Sequence, residues 1–149
     1  MKIVTFEKQH AYDILQHNVV ERDAWISGVG DFEDYVSAWK NRGPGFTVIN
    51  DNGIVMSGGV ALLGWRRGEA WLLLSNLFYK YPIVSTKMIR NKLSDIIGQH
   101  GLVRVQSLVY PEFNAGMRFI EMLGFECEGL LRSFGPNNED MLMYAMVVR

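Results

Sequence analysis

The spacing of apolar residues changes repeatedly along this chain, and each change of period marks an element. Lys2–Phe6 alternates like a short strand, and Glu7–His17 reads as a first helix. Asn18–Gly30 has no clear period and receives no assignment. In Asp31–Arg42, Phe32, Tyr35, Val36 and Trp39 fall at i, i+3, i+4 and i+7, one apolar face of a helix. Asp31 can cap this helix, Glu33 and Asp34 suit the positive end of its dipole, and Gly43-Pro44 stops it.

The period then shortens. Phe46–Asn50 and Ile54–Trp65 read as strands around a hairpin turn at Asp51-Asn52-Gly53. Gly58-Gly59 predicts a bulge or a close approach of another backbone. Arg66-Arg67-Gly68 reads as a second turn. Glu69–Asn76, apolar on both faces, reads as a central strand. Pro82–Gly98 is the main helix, with Ile89, Leu93, Ile96 and Ile97 as its stripe and Pro82 in its first turn. Val103–Val109 is a strand with arginine and glutamine on its alternate face. Asn114–Leu123 is a helix, and Phe125–Ser133 and Met141–Val148 are strands around a Gly-Pro-Asn-Asn turn.

This order predicts an α+β fold with a mixed central sheet flanked by helices. The long helix between the fourth and fifth strands makes those two parallel, because a crossover connection returns the chain in the same direction. A chain of 149 residues predicts one domain over residues 1–149. A net charge of −1 gives no reason to expect nucleic acid or an anionic membrane as partner. No apolar run approaches a membrane span, and the N-terminus turns polar too early for a signal peptide. The lone Cys127 excludes an intrachain disulfide and suits a reducing, cytoplasmic compartment. Cys127 beside Phe125 reads as core, and His10, His17 and His100 have no metal-ligand spacing. Trp65 with Arg66-Arg67 reads as a wet hairpin tip.

The run Asn114-Ala115-Gly116-Met117-Arg118-Phe119-Ile120-Glu121-Met122-Leu123-Gly124-Phe125, followed by Glu128-Gly129, Arg132, Asp140 and Tyr144, resembles the C-terminal half of the GNAT N-acetyltransferases. The order of elements matches that family along nearly the whole chain. Together with the crossover helix, the resemblance implies that the fourth and fifth strands splay at their C-terminal ends, leaving a cleft lined by Ser75, Leu77, Tyr110 and the start of the Pro82 helix. In its Lys80-Tyr81-Pro82 helix start, its Leu-Gly-Phe-Glu-x-Glu-Gly segment and its closing Tyr-Ala, the chain is similar to GNAT-like proteins encoded by tailed bacteriophages. The resemblance implies acetyl-coenzyme A as cofactor and a small-molecule amine or a protein as acceptor. It leaves a homodimer open.

The family's Arg/Gln-x-x-Gly-x-Gly/Ala loop, which holds the coenzyme pyrophosphate, corresponds here to Lys80-Tyr81-Pro82-Ile83-Val84-Ser85. Ile83 in place of the first glycine is expected to obstruct a phosphate and to resist positive φ. Ser85 and Thr86 offer hydroxyls, and Lys80, Lys87 and Arg90 offer charge. The plain alternative is that these hydroxyls cap a helix turn and the bases form a wet face. The family's usual tyrosine acid corresponds to Ile120, which cannot donate a proton. Tyr110 is the substitute, or a structural residue. The resemblance points to Glu69 and Glu112 as candidate bases, and Glu112, in a loop at a strand end, is the preferred one. Asn114 matches the asparagine that opens the family's fourth helix, one residue out of register, and N-capping explains it equally well. Two functions follow: an N-acetyltransferase acting by direct attack of an amine, or a catalytically inactive interaction or assembly factor.

Overall fold

The structure, a computed structural model, describes residues 1–17, 32–135 and 138–148. Asp31, Pro136 and Asn137 lie outside the described residues, and with them the expected helix cap, the unassigned 18–30 segment and the middle of the last turn. The described strands are β1 (Lys2–Thr5), β2 (Gly45–Asn50), β3 (Gly53–Gly64), β4 (Arg67–Leu74), β5 (Arg104–Val109), β6 (Glu126–Leu131) and β7 (Met141–Val147). The described helices are α1 (Lys8–His17), α2 (Phe32–Asn41), α3 (Pro82–His100) and α4 (Asn114–Met122), with a 3-10 turn at Asn76–Lys80. All of the described strands join one sheet in the order β1-β2-β3-β4-β5-β7-β6, and among them only β4 and β5 run parallel.

The two hairpins have different causes. Gly53, at φ +127°, closes β2–β3 beside the Asp51-Asn52 turn. The β3–β4 turn falls at Trp65-Arg66 rather than at Arg66-Arg67-Gly68. Both residues are left-handed (φ 52° and 60°), and Gly64 pairs with Arg67, the geometry of a tight hairpin. Arg66 tolerates positive φ here because its Nε donates to the Gly101 carbonyl at 2.7 Å, and its own carbonyl accepts from Val103 N at 2.8 Å. Trp65 is 87% exposed, with the Arg67 guanidinium 5.1 Å from its ring centre.

Gly58-Gly59 makes no bulge; the register shifts lie at Val48/Ile49 and Leu62/Gly64. The other expectation holds: a Cβ on Gly59 would come 2.4 Å from the Pro44 carbonyl oxygen.

The sheet carries a core on each face, as strand alternation requires. Phe46, Val60 and Val105 pack beneath Ile89, Leu93 and Ile96 of α3 and Ile120 of α4. On the other face, Phe6, Ala11, Ile14, Val36 and Trp39 pack on Leu73 and Trp71 of β4. Trp39 and Trp71 stack with centroids 4.6 Å apart, and Phe6 meets the Trp71 ring edge-on. Cys127 is exposed rather than core, because β6 is the sheet's edge and its residues 126–130 are all exposed.

Candidate functional site

Three rungs join β4 to β5: Arg67–Arg104, Gly68–Val105 and Glu69–Gln106. Beyond Glu69 the strands no longer pair, although β4 runs to Leu74 and β5 to Val109. The parallel neighbours therefore splay toward their C-terminal ends, as the sequence predicts. Just past the last rung, Ser107 Oγ donates across the gap to the Ala70 carbonyl at 3.1 Å.

The residues expected around this V occupy distinct places. Ser75 does not line it. Its hydroxyl is turned back onto the Ile54 and Val55 carbonyls (2.6 and 2.9 Å) and accepts from Leu77 N at 3.2 Å. Ser75 is therefore the hinge between β4 and the 3-10 turn that leads into α3. Phe78 of that turn meets Phe119 of α4 edge-on in the core, with ring centres 5.8 Å apart. In the sequence each of these phenylalanines reads as ordinary core.

The α3 N-terminus is built as a donor site. Tyr81 occupies the cap position without a side-chain hydrogen bond, and Pro82 follows it. The amides of Ile83 and Val84 precede the first i→i−4 bond, which Ser85 N makes to the Tyr81 carbonyl at 3.0 Å. Free amides at the positive end of a 19-residue helix favour an anion. Ile83 is 84% exposed and has no positive φ, so the missing glycine imposes no strain on this loop. Lys80 and Lys87 are exposed nearby in sequence. Ser85 and Thr86 are buried, and Ser85 Oγ has no hydrogen-bond partner. Arg90 donates to the Met122 carbonyl at 3.0 Å and ties α3 to the end of α4.

Asn114 is exposed at the first turn of α4. The cap position belongs to Phe113, with no side-chain cap bond, so Asn114 does not act as the N-cap. Ile120 is buried in the core. The buried tyrosine packed in that same core is Tyr144, whose hydroxyl donates to Glu121 at 3.0 Å. Burial first, then Glu121, raises its pKa.

The three candidate catalytic groups differ sharply. Glu69 is partly buried on the last paired rung, where the V closes. Burial raises its carboxyl pKa above 4.5, and a hydrogen bond from Gln106 partly offsets this. Tyr110 follows the end of β5. Burial first, then the charge and hydrogen bond of Glu139, then Tyr35 of α2, raise its pKa. Glu112 is exposed in the β5–α4 loop. The Glu139 contact was not legible in the sequence, because it joins residues from two separate loops.

No protein-family model matches the sequence, and no curated protein matches it either. Solved structures do match. A mutant of spermidine N-acetyltransferase SpeG from Vibrio cholerae superposes with a TM-score of 0.72 at 14% identity, over 99% of this chain and 95% of that one. A ribosomal-protein-alanine N-acetyltransferase from Brucella melitensis superposes with a TM-score of 0.70 at 15% identity, over 99% of this chain and 100% of that one. At these identities the likeness is one of fold, and the fold is the GNAT fold.

Proposed function

We propose that this chain is an N-acetyltransferase that uses acetyl-coenzyme A and transfers the acetyl group to a small-molecule or protein amine by direct attack. The observation that carries this reading is the V itself: a parallel pair that stops after Glu69, inside a fold shared with N-acetyltransferases. The donor site at the start of α3 fits the coenzyme's pyrophosphate. The Ile83 and Val84 amides would hold it, with Lys80 and Lys87 supplying charge, while Ser85 and Thr86 are buried and Arg90 is engaged with the Met122 carbonyl. The divergence of β5 from β4 fits an amide-bearing arm, which can pair with a strand edge. When bound, acetyl-coenzyme A supplies an activated thioester.

Glu69 is the base in this reading, in preference to Glu112. A base must be held near the reacting atoms, and its pKa should approach the working pH. Burial moves Glu69 in that direction. It would take one proton from the acceptor ammonium and so free the lone pair for attack; as the N–C bond forms and the C–S bond breaks, the second proton of the nitrogen would pass to solvent, from which the leaving thiolate would be protonated. Tyr110 is a poor acid for this step, since a raised phenol pKa opposes donation to a thiolate of ordinary basicity. We assign it to bracing the β6–β7 loop through Glu139.

The contact of Phe78 with Phe119, which packs the turn after β4 against the helix after β5, favours the second reading, an inactive interaction or assembly factor with a retained fold. The similarity to phage-encoded proteins belongs to that reading. A free-thiol release assay with acetyl-coenzyme A and a panel of amines and peptides separates the two. Turnover lost in Glu69→Gln and kept in Glu112→Gln and Tyr110→Phe supports catalysis with Glu69 as base. Turnover lost in Glu112→Gln alone returns the role to Glu112. No turnover with any acceptor favours the inactive reading.

A further inference from the structure

A chain of polar side chains leads away from Glu69 across the sheet, and the reaction as described does not use it. Gln106 stands opposite Glu69 on the last rung, and its amide lowers the Glu69 carboxyl pKa against the effect of burial. The Gln106 Oε1 accepts from Arg104 Nε at 3.2 Å. A primary amide has one accepting end and one donating end. With its oxygen turned to Arg104, its NH2 group is turned to Glu69. Arg104 is itself held: both terminal nitrogens donate to the Glu128 carboxylate, at 2.9 and 2.6 Å. That two-pronged bond fixes the plane of the guanidinium. Glu128 lies at the register shift between Cys127 and Gly129, a bulge of the kind that re-aims a side chain.

We infer that Arg104, locked by Glu128, is a positioning residue that fixes the Gln106 amide so that it donates to Glu69. Through this wiring β6, the far edge of the sheet, sets the protonation of the group at the closed end of the V. The functional importance of the wiring rests on the reading of Glu69 as the base. The other charged groups on this face are Arg67, opposite Arg104, and Glu126 on β6. Arg67 is turned to the Trp65 ring. The described titratable groups of α1, which packs against β4, are occupied: Lys8 and Tyr12 with Glu33, His10 with Thr47 and Asp13 with Gln9. From α2, Tyr35 lies toward Tyr110.

The sign of the effect separates wiring from simple charge. Glu128→Gln removes a negative charge, which by electrostatics alone would make Glu69 easier to ionise. Wiring predicts the opposite, because a released guanidinium frees the amide to turn. Arg104→Lys keeps the charge and loses the planar fork. The experiment is a carbon-13 NMR titration of the Glu69 carboxyl in the full chain, its signal assigned with Glu69→Gln. Both Glu128→Gln and Arg104→Lys should raise the midpoint. The increase in proton affinity should approach that in Gln106→Leu, about tenfold for one hydrogen bond to a charged group. The Arg104→Lys/Gln106→Leu double variant should move no further than Gln106→Leu alone. A midpoint that falls or stays fixed in Glu128→Gln, or stays fixed in Arg104→Lys, overturns the wiring. Glu128 is exposed, so this arm survives even if Gln106→Leu does not fold. The acid limb of the acetyl-transfer pH profile is read alongside. Midpoints that move while the limb does not would uphold the wiring and overturn Glu69 as the base.

Discussion

Ser75→Ala should loosen the joint that aims α3. The Ser75 hydroxyl serves the Ile54 and Val55 carbonyls and caps Leu77 N, and the residue is 5% exposed. Losing a helix cap costs about 1 kcal/mol, and losing a buried hydrogen bond costs about 1 kcal/mol more. The sum, about 2 kcal/mol, corresponds to a fall of about 4–8 °C in Tm for a chain of this size. Urea unfolding followed by tryptophan fluorescence measures the first quantity, with an unchanged m-value showing that the unfolded state is the same. Amide hydrogen exchange supplies the local readout. Leu77 N loses its partner outright, and Tyr81 N, bonded to the Phe78 carbonyl at 3.1 Å, should exchange faster than in wild type. Coenzyme affinity should fall as well, because the donors at the start of α3 are placed by this turn. A Ser75→Ala protein of unchanged midpoint and unchanged Leu77 exchange would refute the hinge.

Three further outcomes follow from the same geometry. Glu69→Gln should lower turnover by about 100-fold or more, the usual scale for a general base. It should also flatten stability against pH. A carboxyl whose folded pKa is raised stabilises below 4.5, and that contribution is lost as pH rises through the folded value, so wild type but not the variant should weaken over that window in a pH series of urea titrations. Ser85→Ala should stabilise by about 1 kcal/mol by removing an unpartnered buried hydroxyl, with no change in coenzyme affinity by calorimetry; a loss of either would return Ser85 to the site. Gly59→Ala should cost about 3 kcal/mol in urea unfolding, because its Cβ meets the Pro44 carbonyl at 2.4 Å and backbone yields poorly.

Periodicity made the architecture legible. Apolar stripes of helical spacing located α2 and α3, and the long helix between two apolar strands implied the parallel β4–β5 pair, which the sheet order bears out. Local chemistry was read less well. The β3–β4 turn uses Trp65 and Arg66 at positive φ, residues that carry no turn signature and are held there by a tertiary bond to Gly101. Gly68 looked like a turn glycine, but it lies in β4, where a Cβ would come 2.3 Å from Val60 Cγ1. The site was legible only in part. Arg104 and Gln106 showed as polar residues on one face of a strand, yet their partners Glu69 and Glu128 come from other strands. Nothing in the order of residues links Tyr110 to Glu139, or shows that Ser75 turns its hydroxyl inward. Sequence spacing reports which face a residue occupies; which partner it meets there is decided by sheet order and register.

Calorimetric titration of the chain with acetyl-coenzyme A tests the proposed function most directly. A one-to-one, saturable heat is predicted, with a Kd within the range of about 1 µM to 1 mM usual for enzyme substrates. The affinity should weaken as salt rises, because Lys80, Lys87 and the start of α3 hold a pyrophosphate. A flat titration at millimolar coenzyme would contradict the proposal.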